Sequence, residues 1–458
     1  VAIGIYCRKH TSGINNFVLG GRSVGPWLTA FAYGTSYFSA VVFIGYAGQF
    51  GWKYGIAATW AGIGNAILGS LLVWVVLGRR TRIMTQHFDS TTMPQFFGQR
   101  FQSPSLKIGA SIIIFIFLIP YTASLFNGLS RLFGMAFNID YTVCIILMGV
   151  LTGIYVIAGG YMATAINDFV QGCIMLVGIC AVVGAILNTQ GGFSEALHNL
   201  AAVSDSTTTN GDVPGIYASF FGPEPVNLLG VVLLTSLGTW GLPQMVQKFY
   251  AIKSEDAIHK GTVISTIFAL VVSGGCYFMG GFGRLFSDQV DVATEGYDAI
   301  VPTMLSNLPE LLIAIVVILV LSASMSTLSA LVMTSSSTIT LDLLKGNMVK
   351  KMNDFQAVFI IRCFIVVFII ISMVIAIIQY KYSISFIAQL MGVSWGALAG
   401  AFLAPFLYSL YWKKATKAAC WASFLFGAGV MSLNLLSNAT GLFAFPALLQ
   451  SSINCGAF

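Results

Sequence analysis

Apolar segments long enough to cross a bilayer recur along almost the whole chain, and short polar stretches separate them. A transmembrane helix needs about 20 mainly apolar residues. By this criterion we predict eleven membrane helices, near residues 25–50, 55–78, 105–135, 138–158, 162–188, 226–247, 262–286, 309–344, 355–378, 382–410 and 416–437. The terminal stretches VAIGIY and SSINCGAF are each interpreted as part of a further helix, so we expect a chain trimmed at both ends. The pattern therefore predicts an all-α polytopic membrane protein.

The composition excludes a soluble protein. Hydrophobic residues make up 57% of the 458 positions and charged residues 8%, which leaves too little polar surface to cover a globule in water. The eight cysteines form no C-x-x-C pair and lie mostly within apolar segments, where cysteine behaves as a small hydrophobic side chain. We therefore infer neither disulfide bonds nor a metal site from them.

The basic residues predict the orientation of the chain. If successive loops alternate between the two sides of the membrane, 18 of the 22 Lys and Arg residues fall on one side. The other four are Lys53, Arg131, Arg284 and Lys381. Cytoplasmic loops are enriched in Lys and Arg, so we expect residues 79–107 to face the cytoplasm and residues 189–225 to face outward. The membrane is expected to be the plasma membrane.

The helix count predicts an internal repeat. Five predicted helices precede the polar loop 189–225 and five follow it before the last one. Because five is odd, the second set must start from the opposite side of the membrane, as inverted-topology repeats do. We expect one transmembrane domain over 1–458, with a first repeat at about 25–188, a second at about 226–410 and an extra helix at about 416–437.

Inverted repeats of this kind predict an interruption in the first helix of each half, with freed backbone groups lining a cavity. The first predicted helix contains the polar run Ala32-Tyr33-Gly34-Thr35-Ser36, and the sixth contains SLGTWGLP at 236–243. Proline removes a backbone donor and glycine loosens a helix. The alternative is that these residues only kink two continuous helices.

Hydroxyl side chains line one face of the eighth predicted helix. Ser322, Ser326 and Ser329 recur at helical spacing, and Thr327 adjoins Ser326. Such hydroxyls usually bond to their own helix or serve as small packing residues. Uncharged oxygen donors also suit a hard monovalent cation, since they replace its water without holding it too tightly. Backbone carbonyls of the interrupted first helix would complete such a site.

Several motifs resemble the sodium/solute symporter family. They are FVLGGRSVGP at 17–26, GTSYFS at 34–39, GGYMA at 159–163, NDxxQG at 167–172, GLPQ at 241–244, and SMSTLS at 324–329 leading to SSST at 335–338 and Asp342. TSYFS and GLPQ, with GGFGR at 280–284, are closer to the pantothenate and proline branches than to the sugar branch. The resemblance implies a LeuT-type 5+5 inverted-repeat fold with additional flanking helices.

The resemblance also implies a sodium site, whose residues match family positions one by one. Its ligands would be the carbonyls of Thr35, Phe38 and Ala323 and the hydroxyls of Ser326 and Thr327.

Some family members have a second sodium site. Asp168 and Ser329 match that pattern, but Ala330 replaces an expected hydroxyl. A buried intramembrane carboxylate is functional by default. The alternative for Asp168, which lies eight residues past Gly160, is that it reaches interfacial water.

Candidate solute-binding residues cluster around the two expected helix breaks, with one more on the tenth helix. They are Tyr37, Ser39, Trp240, Pro243, Gln244 and Gln389. Tyr37 stands where the sodium–proline symporter has an aspartate. Aromatic residues at such spacing are more often packing residues than recognition residues.

The function implied by the resemblance is uptake of a small organic solute, a monocarboxylate, amino acid or vitamin-like acid, driven by inward sodium flow. Proton coupling and a transporter-like sensory domain of a signalling protein are the alternatives. An enzyme is disfavoured, since all four histidines fall in loops and no H-E-x-x-H motif occurs. We assign no catalytic residue, no nucleic-acid motif and no obligate protein partner.

Overall fold

The computed structural model describes residues 2–7, 13–137, 139–206, 209–306, 308–345, 348–349, 351–382 and 387–440. Long helices dominate these residues. We number them α1 (Pro26–Thr35 and 41–54), α2 (59–87), α3 (Pro104–Phe137), α4 (141–159), α5 (160–189), α6 (Pro225–Leu237 and Pro243–Ala251), α7 (Glu255–Gly280), α8 (Glu310–Thr338 and Ile339–Leu344), α9 (Asp354–Tyr382), α10 (Ile387–Tyr411) and α11 (Lys417–Thr440).

Shorter helices precede α1 or lie in the connections between the long helices. They are Ala2–Cys7, Ile14–Leu19, Met93–Arg100, Phe193–Ala201, Val292–Glu295 and Ile300–Ser306. The terminal segment SSINCGAF, interpreted above as the start of another helix, lies outside the described residues.

Two glycines divide helical stretches that are too long for one membrane crossing. In the described part of the chain, eight helices are apolar and long enough to span a membrane, and a bent pair makes a ninth. The stretches 41–87 and 141–189 contain 47 and 49 residues, about 70 Å at 1.5 Å per residue, against an apolar bilayer core of about 30 Å. Gly55 and Gly160 interrupt them with φ of 61° and 57°. Division there yields the eleven passes expected from hydropathy.

The two interruptions expected in the sequence are both present. In α1 the helix ends at Thr35, and the amides of Tyr37 and Phe38 both donate to the Gly34 carbonyl, at 3.1 and 3.2 Å. In α6 the two halves meet at a bend of 43°. Pro243 begins the second half, where the missing N–H of proline costs no helical hydrogen bond.

The helices pack in two groups. In one, α7 lies against α1 and α2, and α6 lies against α2; in the other, α8 lies against α3, α9 and the α4–α5 segment. Close approach of α7 to the break in α1 depends on Gly34, because the Phe268 ring lies 2.3 Å from where a Cβ on Gly34 would stand. The break is thus held against a neighbouring helix.

Backbone pairing closes the end of the molecule that carries the basic loops. The Val24 amide donates to the Ala251 carbonyl at 3.2 Å, and the Lys253 amide donates to the Val24 carbonyl at 3.0 Å. Arg82, at the end of α2, donates to the Ile252 carbonyl at 2.9 Å. The segment before α1, the end of α2 and the α6–α7 turn are therefore joined.

A buried arginine organises the opposite end. Arg284 donates to the Trp52 carbonyl at 2.6 Å and to the Asp205 carboxylate at 2.9 Å. Its guanidinium carbon lies 4.0 Å from the Tyr217 ring centroid. The loop 189–225, expected to be an ordinary polar loop, is therefore fixed to the end of α1.

Candidate functional site

Four oxygen atoms from α1 and α8 meet at the first helix break. The hydroxyls of Ser326 and Thr327 each donate to the Thr35 carbonyl at 3.0 Å. The same hydroxyls contact the Ala323 carbonyl at 3.0 and 3.1 Å. All four residues are buried. We call these four residues the oxygen cluster.

The local chain conformation explains why the Thr35 carbonyl is available. The tight turn after Gly34 ends regular helical bonding, so this carbonyl accepts from hydroxyls of α8. Beyond the turn, the Ala40 amide donates to the Ser324 hydroxyl at 3.3 Å. Helix α8 therefore contacts both sides of the break. Phe38 lies within the break, beside the cluster along the chain.

The chemistry of the oxygen cluster fits a hard monovalent cation. Its members are two carbonyls and two hydroxyls, all uncharged and shielded from water. Each hydroxyl keeps lone pairs that can turn toward a cation. An uncharged donor set of this kind matches the cation binding that the serine stripe predicts.

Tyr37 joins three helices beside the oxygen cluster. Its hydroxyl donates to the Thr235 carbonyl on α6, and its ring stacks on Trp395 of α10, with centroids 5.4 Å apart and planes at 23°. The expected solute-cavity residue Ser39 accepts from the Val41 amide at 3.3 Å. The Ser39 hydroxyl is therefore bonded to the first residue of the resumed half of α1.

Trp240 is held by α2. Its indole N–H donates to the Leu68 carbonyl at 3.0 Å, and Thr239 donates to the Gly69 carbonyl at 3.1 Å. Leu68 and Gly69 belong to a π-helical segment, Ile67–Leu72. Because its N–H is already bonded, only the apolar ring of Trp240 is left for other contacts.

Gln244 follows Pro243 at the start of the second half of α6. Its side chain is 1% exposed, and neither of its amide atoms has a hydrogen-bond partner among the described residues. A buried polar group without a partner is costly. The side chain therefore does not repair the backbone at Pro243, and it can offer a polar ligand both a donor and an acceptor.

Sequence reasoning missed Trp395. This residue stacks on Tyr37 and lies edge-on to Tyr121, with ring centroids 6.0 Å apart. The small residues around it, in GVSWGA at 392–397, are a signal that could have drawn attention to it. The side chain of Gln389, the candidate on the same helix, lies outside the described residues.

Asp168 lies opposite a lysine rather than near water. It is fully buried, and its carboxylate oxygen lies 4.0 Å from the Lys248 ammonium, whose side chain is 4% exposed. The alternative that Asp168 reaches interfacial water is therefore wrong. Lys248, one of the 18 basic residues counted on the loops of one side, lies buried within α6. Ser329, its partner in the expected second sodium site, donates to the Ser326 carbonyl at 2.8 Å.

Comparison with known protein sequences identifies similar transporters. The chain is 28% identical over 459 residues to the osmoregulated proline transporter OpuE of Bacillus subtilis (strain 168), covering 98% of this chain and 90% of that protein. It is 30% identical over 442 residues to the sodium/proline symporter of Staphylococcus aureus (strain JH9), covering 94% of this chain and 82% of that protein.

Comparison with solved structures identifies transporters that share this fold. A Na⁺-coupled sialic acid symporter aligns with a TM-score of 0.76 at 18% identity, covering 97% of this chain and 95% of the other. The Eremococcus coleocola manganese transporter aligns with a TM-score of 0.53 at 13% identity, covering 94% and 92%. The expected LeuT-type fold is thereby confirmed. The model of the Sodium:solute symporter family matches residues 17–427, and the chain belongs to this family of multi-pass membrane transporters.

Proposed function

We propose that this protein couples inward sodium flow to the uptake of proline or a closely related amino acid across the plasma membrane. The observation that carries the proposal is the oxygen cluster of Thr35, Ala323, Ser326 and Thr327 at the break in α1. In this proposal Phe38 supplies a further carbonyl to the ion. The named functions of the two bacterial relatives support proline as the solute.

Sodium would couple to the solute through α1. An ion bound by both Thr35 and α8 holds the break in one conformation, and Tyr37, two residues later, contacts α6 and α10. Each ligand would then preorganise the site of the other, and by linkage each raises the other's affinity equally. Movement of one helix group against the other would expose the sites to alternate sides.

The solute would lie between the two helix breaks. The ring of Trp240, the stacked pair Tyr37 and Trp395, and the segment beginning at Pro243 supply apolar surface for a small ring or side chain. Gln244 supplies an amide that can donate to a carboxylate and accept from an ammonium. Neutral polar groups of this kind avoid the cost of burying an unpaired charge.

Uptake by proteoliposomes tests the proposal. The purified chain is reconstituted, and radiolabelled proline, other amino acids, pantothenate and small monocarboxylates are offered with an inward sodium gradient, an inward proton gradient or neither. We expect concentrative proline uptake with the sodium gradient alone. Uptake driven by protons without sodium would contradict sodium coupling, and preferential uptake of another solute would contradict the choice of proline.

A further inference from the structure

A buried ion pair lies next to the oxygen cluster. Asp168 of α5 and Lys248 of α6 are 0% and 4% exposed, with the ammonium 4.0 Å from a carboxylate oxygen. Gly172 follows Asp168 by about one helical turn, a rise of about 6 Å. A Cβ on Gly172 would stand 3.1 Å from the Thr35 side chain. Asp168 therefore lies about one turn along α5 from the point where this helix contacts Thr35 of the cluster.

Lys248 gives the Asp168 carboxylate a positively charged neighbour. In the described part of the chain, no hydrogen-bond donor contacts either carboxylate oxygen of Asp168. The ammonium also lies 5.2 Å from the centroid of the Tyr161 ring, whose face attracts cations. A positive charge beside a buried carboxylate lowers the cost of its ionised form, and the Lys248 ammonium lies where it can do this.

The residues at this position do not fit the second sodium ion that the family resemblance implied. That ion would use the Asp168 carboxylate, close to the Lys248 ammonium, in an interior where like charges repel strongly. Ala330 lacks the hydroxyl that such a site needs. The hydroxyl of the remaining candidate, Ser329, keeps lone pairs although it donates to the Ser326 carbonyl, so the misfit lies in the lysine and in Ala330.

We propose that the Lys248 ammonium is a tethered cation that takes the place of a second sodium ion at Asp168, so that one sodium ion accompanies each solute. This inference rests on the proposed function. A second ion would bring its charge to Asp168 in each transport cycle, whereas the lysine keeps that charge there permanently. One sodium ion then moves down its gradient for each solute molecule transported.

Counting bound sodium ions tests the tethered cation. Equilibrium binding of ²²Na⁺ to the purified full chain is measured without solute for the wild type, Lys248→Met and Lys248→Arg. Methionine keeps an unbranched apolar side chain but removes the charge, so we expect sodium to bind at the uncompensated Asp168. The expected result is one saturable ion in the wild type, two in Lys248→Met and one in Lys248→Arg.

Two further variants connect the count to the pair. Asp168→Asn/Lys248→Met removes both charges and should again bind one ion, which would assign the second ion of Lys248→Met to the carboxylate. Ala330→Ser restores the missing hydroxyl but leaves Lys248 in place, so it should also bind one ion. This last variant keeps the test decisive if Lys248→Met does not fold.

The outcomes separate this inference from the proposed function. Two ions in the wild type, two in Ala330→Ser, or one in folded Lys248→Met would overturn the tethered cation and leave sodium-coupled transport standing. A wild-type protein without saturable sodium binding would overturn the proposed function, and this inference with it.

Discussion

At the scale of single residues, the features that distinguish a binding role from a packing role are the partners of each polar atom. Ser326 and Thr327 bond across to another helix at Thr35, whereas Ser337 bonds to the Thr334 carbonyl of its own helix. Gln244 has no hydrogen-bond partner among the described residues, whereas Gln247 bonds to Thr334. Residues of the same type on one helix therefore have different expected roles.

Removal of either cluster hydroxyl should weaken sodium binding. We expect Ser326→Ala and Thr327→Ala each to raise the sodium concentration for half-maximal uptake about tenfold, because a lost oxygen ligand costs about 1.4 kcal/mol. Sodium titration of uptake in proteoliposomes measures this. Ser337→Ala is the matched control and should titrate like the wild type, and wild-type titration of both cluster variants would remove them from the ion site.

Gln244→Ala should weaken solute binding by about 10- to 100-fold. The reason is that hydrogen bonds to a charged ligand contribute about 1.5–3 kcal/mol to binding. It should also change the order of preference among related solutes, and sodium affinity without solute should stay the same. Competition uptake and sodium binding measure the two effects. In Gln247→Ala we expect lower thermal stability with an unchanged order of preference. The same behaviour in Gln244→Ala would show a structural role.

At the scale of helices, each break in a helix coincides with close contacts from a neighbouring helix. The turn after Gly34 makes the Thr35 carbonyl available to α8, and the absent side chain of Gly34 admits Phe268 of α7. The π-helical segment of α2 presents the Gly69 carbonyl to both Tyr33, at 2.7 Å, and Thr239. At both irregular segments, side chains of neighbouring helices therefore bond to the free backbone carbonyls or pack against the chain.

Gly34→Ala should destabilise the protein by about 1–3 kcal/mol, the usual cost of overpacking, because its Cβ would stand 2.3 Å from the Phe268 ring. Thermal unfolding in detergent measures this loss. Gly184→Ala is the control, since a Cβ at that position of α5 meets nothing within 4 Å and alanine favours a helix. Equal melting temperatures for the two variants would contradict close packing at the α1 break.

At the scale of the whole molecule, the basic end is closed by backbone pairing and the opposite end by Arg284. Val24 pairs with the α6–α7 turn, and Arg82 bonds to the same turn. A helix group that opens toward the basic end must break these contacts. They therefore stabilise the form that is closed on the basic side.

Arg82→Ala should weaken this closure. Because the variant loses the hydrogen bond to the Ile252 carbonyl, we expect the open form to become more populated and sodium-driven accumulation of solute to fall. Thiol labelling of a cysteine placed at Val24, in a cysteine-free background and inside-out vesicles, measures the opening. Labelling no faster than in the Arg82-containing parent would contradict a gating role.

The orientation of the molecule can be tested with single cysteines in the same background. An impermeant thiol reagent on intact cells should label Val213→Cys, which is exposed in the loop 189–225, and should spare His87→Cys at the end of α2. The reason is the enrichment of basic residues on the α2 side. The reverse labelling pattern would invert the proposed topology.

The sequence by itself determined the class of protein, the helix positions and the two breaks. Hydropathy determines the membrane passes, because a bilayer accepts only long apolar helices whose backbone groups are bonded internally. Gly34, Gly160 and Pro243 mark points where the helical pattern fails, since their backbone preferences act locally. Helical spacing predicted the hydroxyl stripe that contains Ser326, whereas the full oxygen cluster, with the carbonyls of Thr35 and Ala323, was expected only from the resemblance to the sodium/solute symporter family.

Only the tertiary structure decided which polar side chains already have partners. It gave Trp240 a carbonyl on α2, stacked Tyr37 on Trp395 and left Gln244 without a hydrogen-bond partner in the part of the chain that the structure describes. It also brought Lys248, 80 residues after Asp168 in sequence, to that carboxylate. These pairings join helices that are distant in the chain, so no local pattern contains them; they follow from which helix faces meet when the two groups pack.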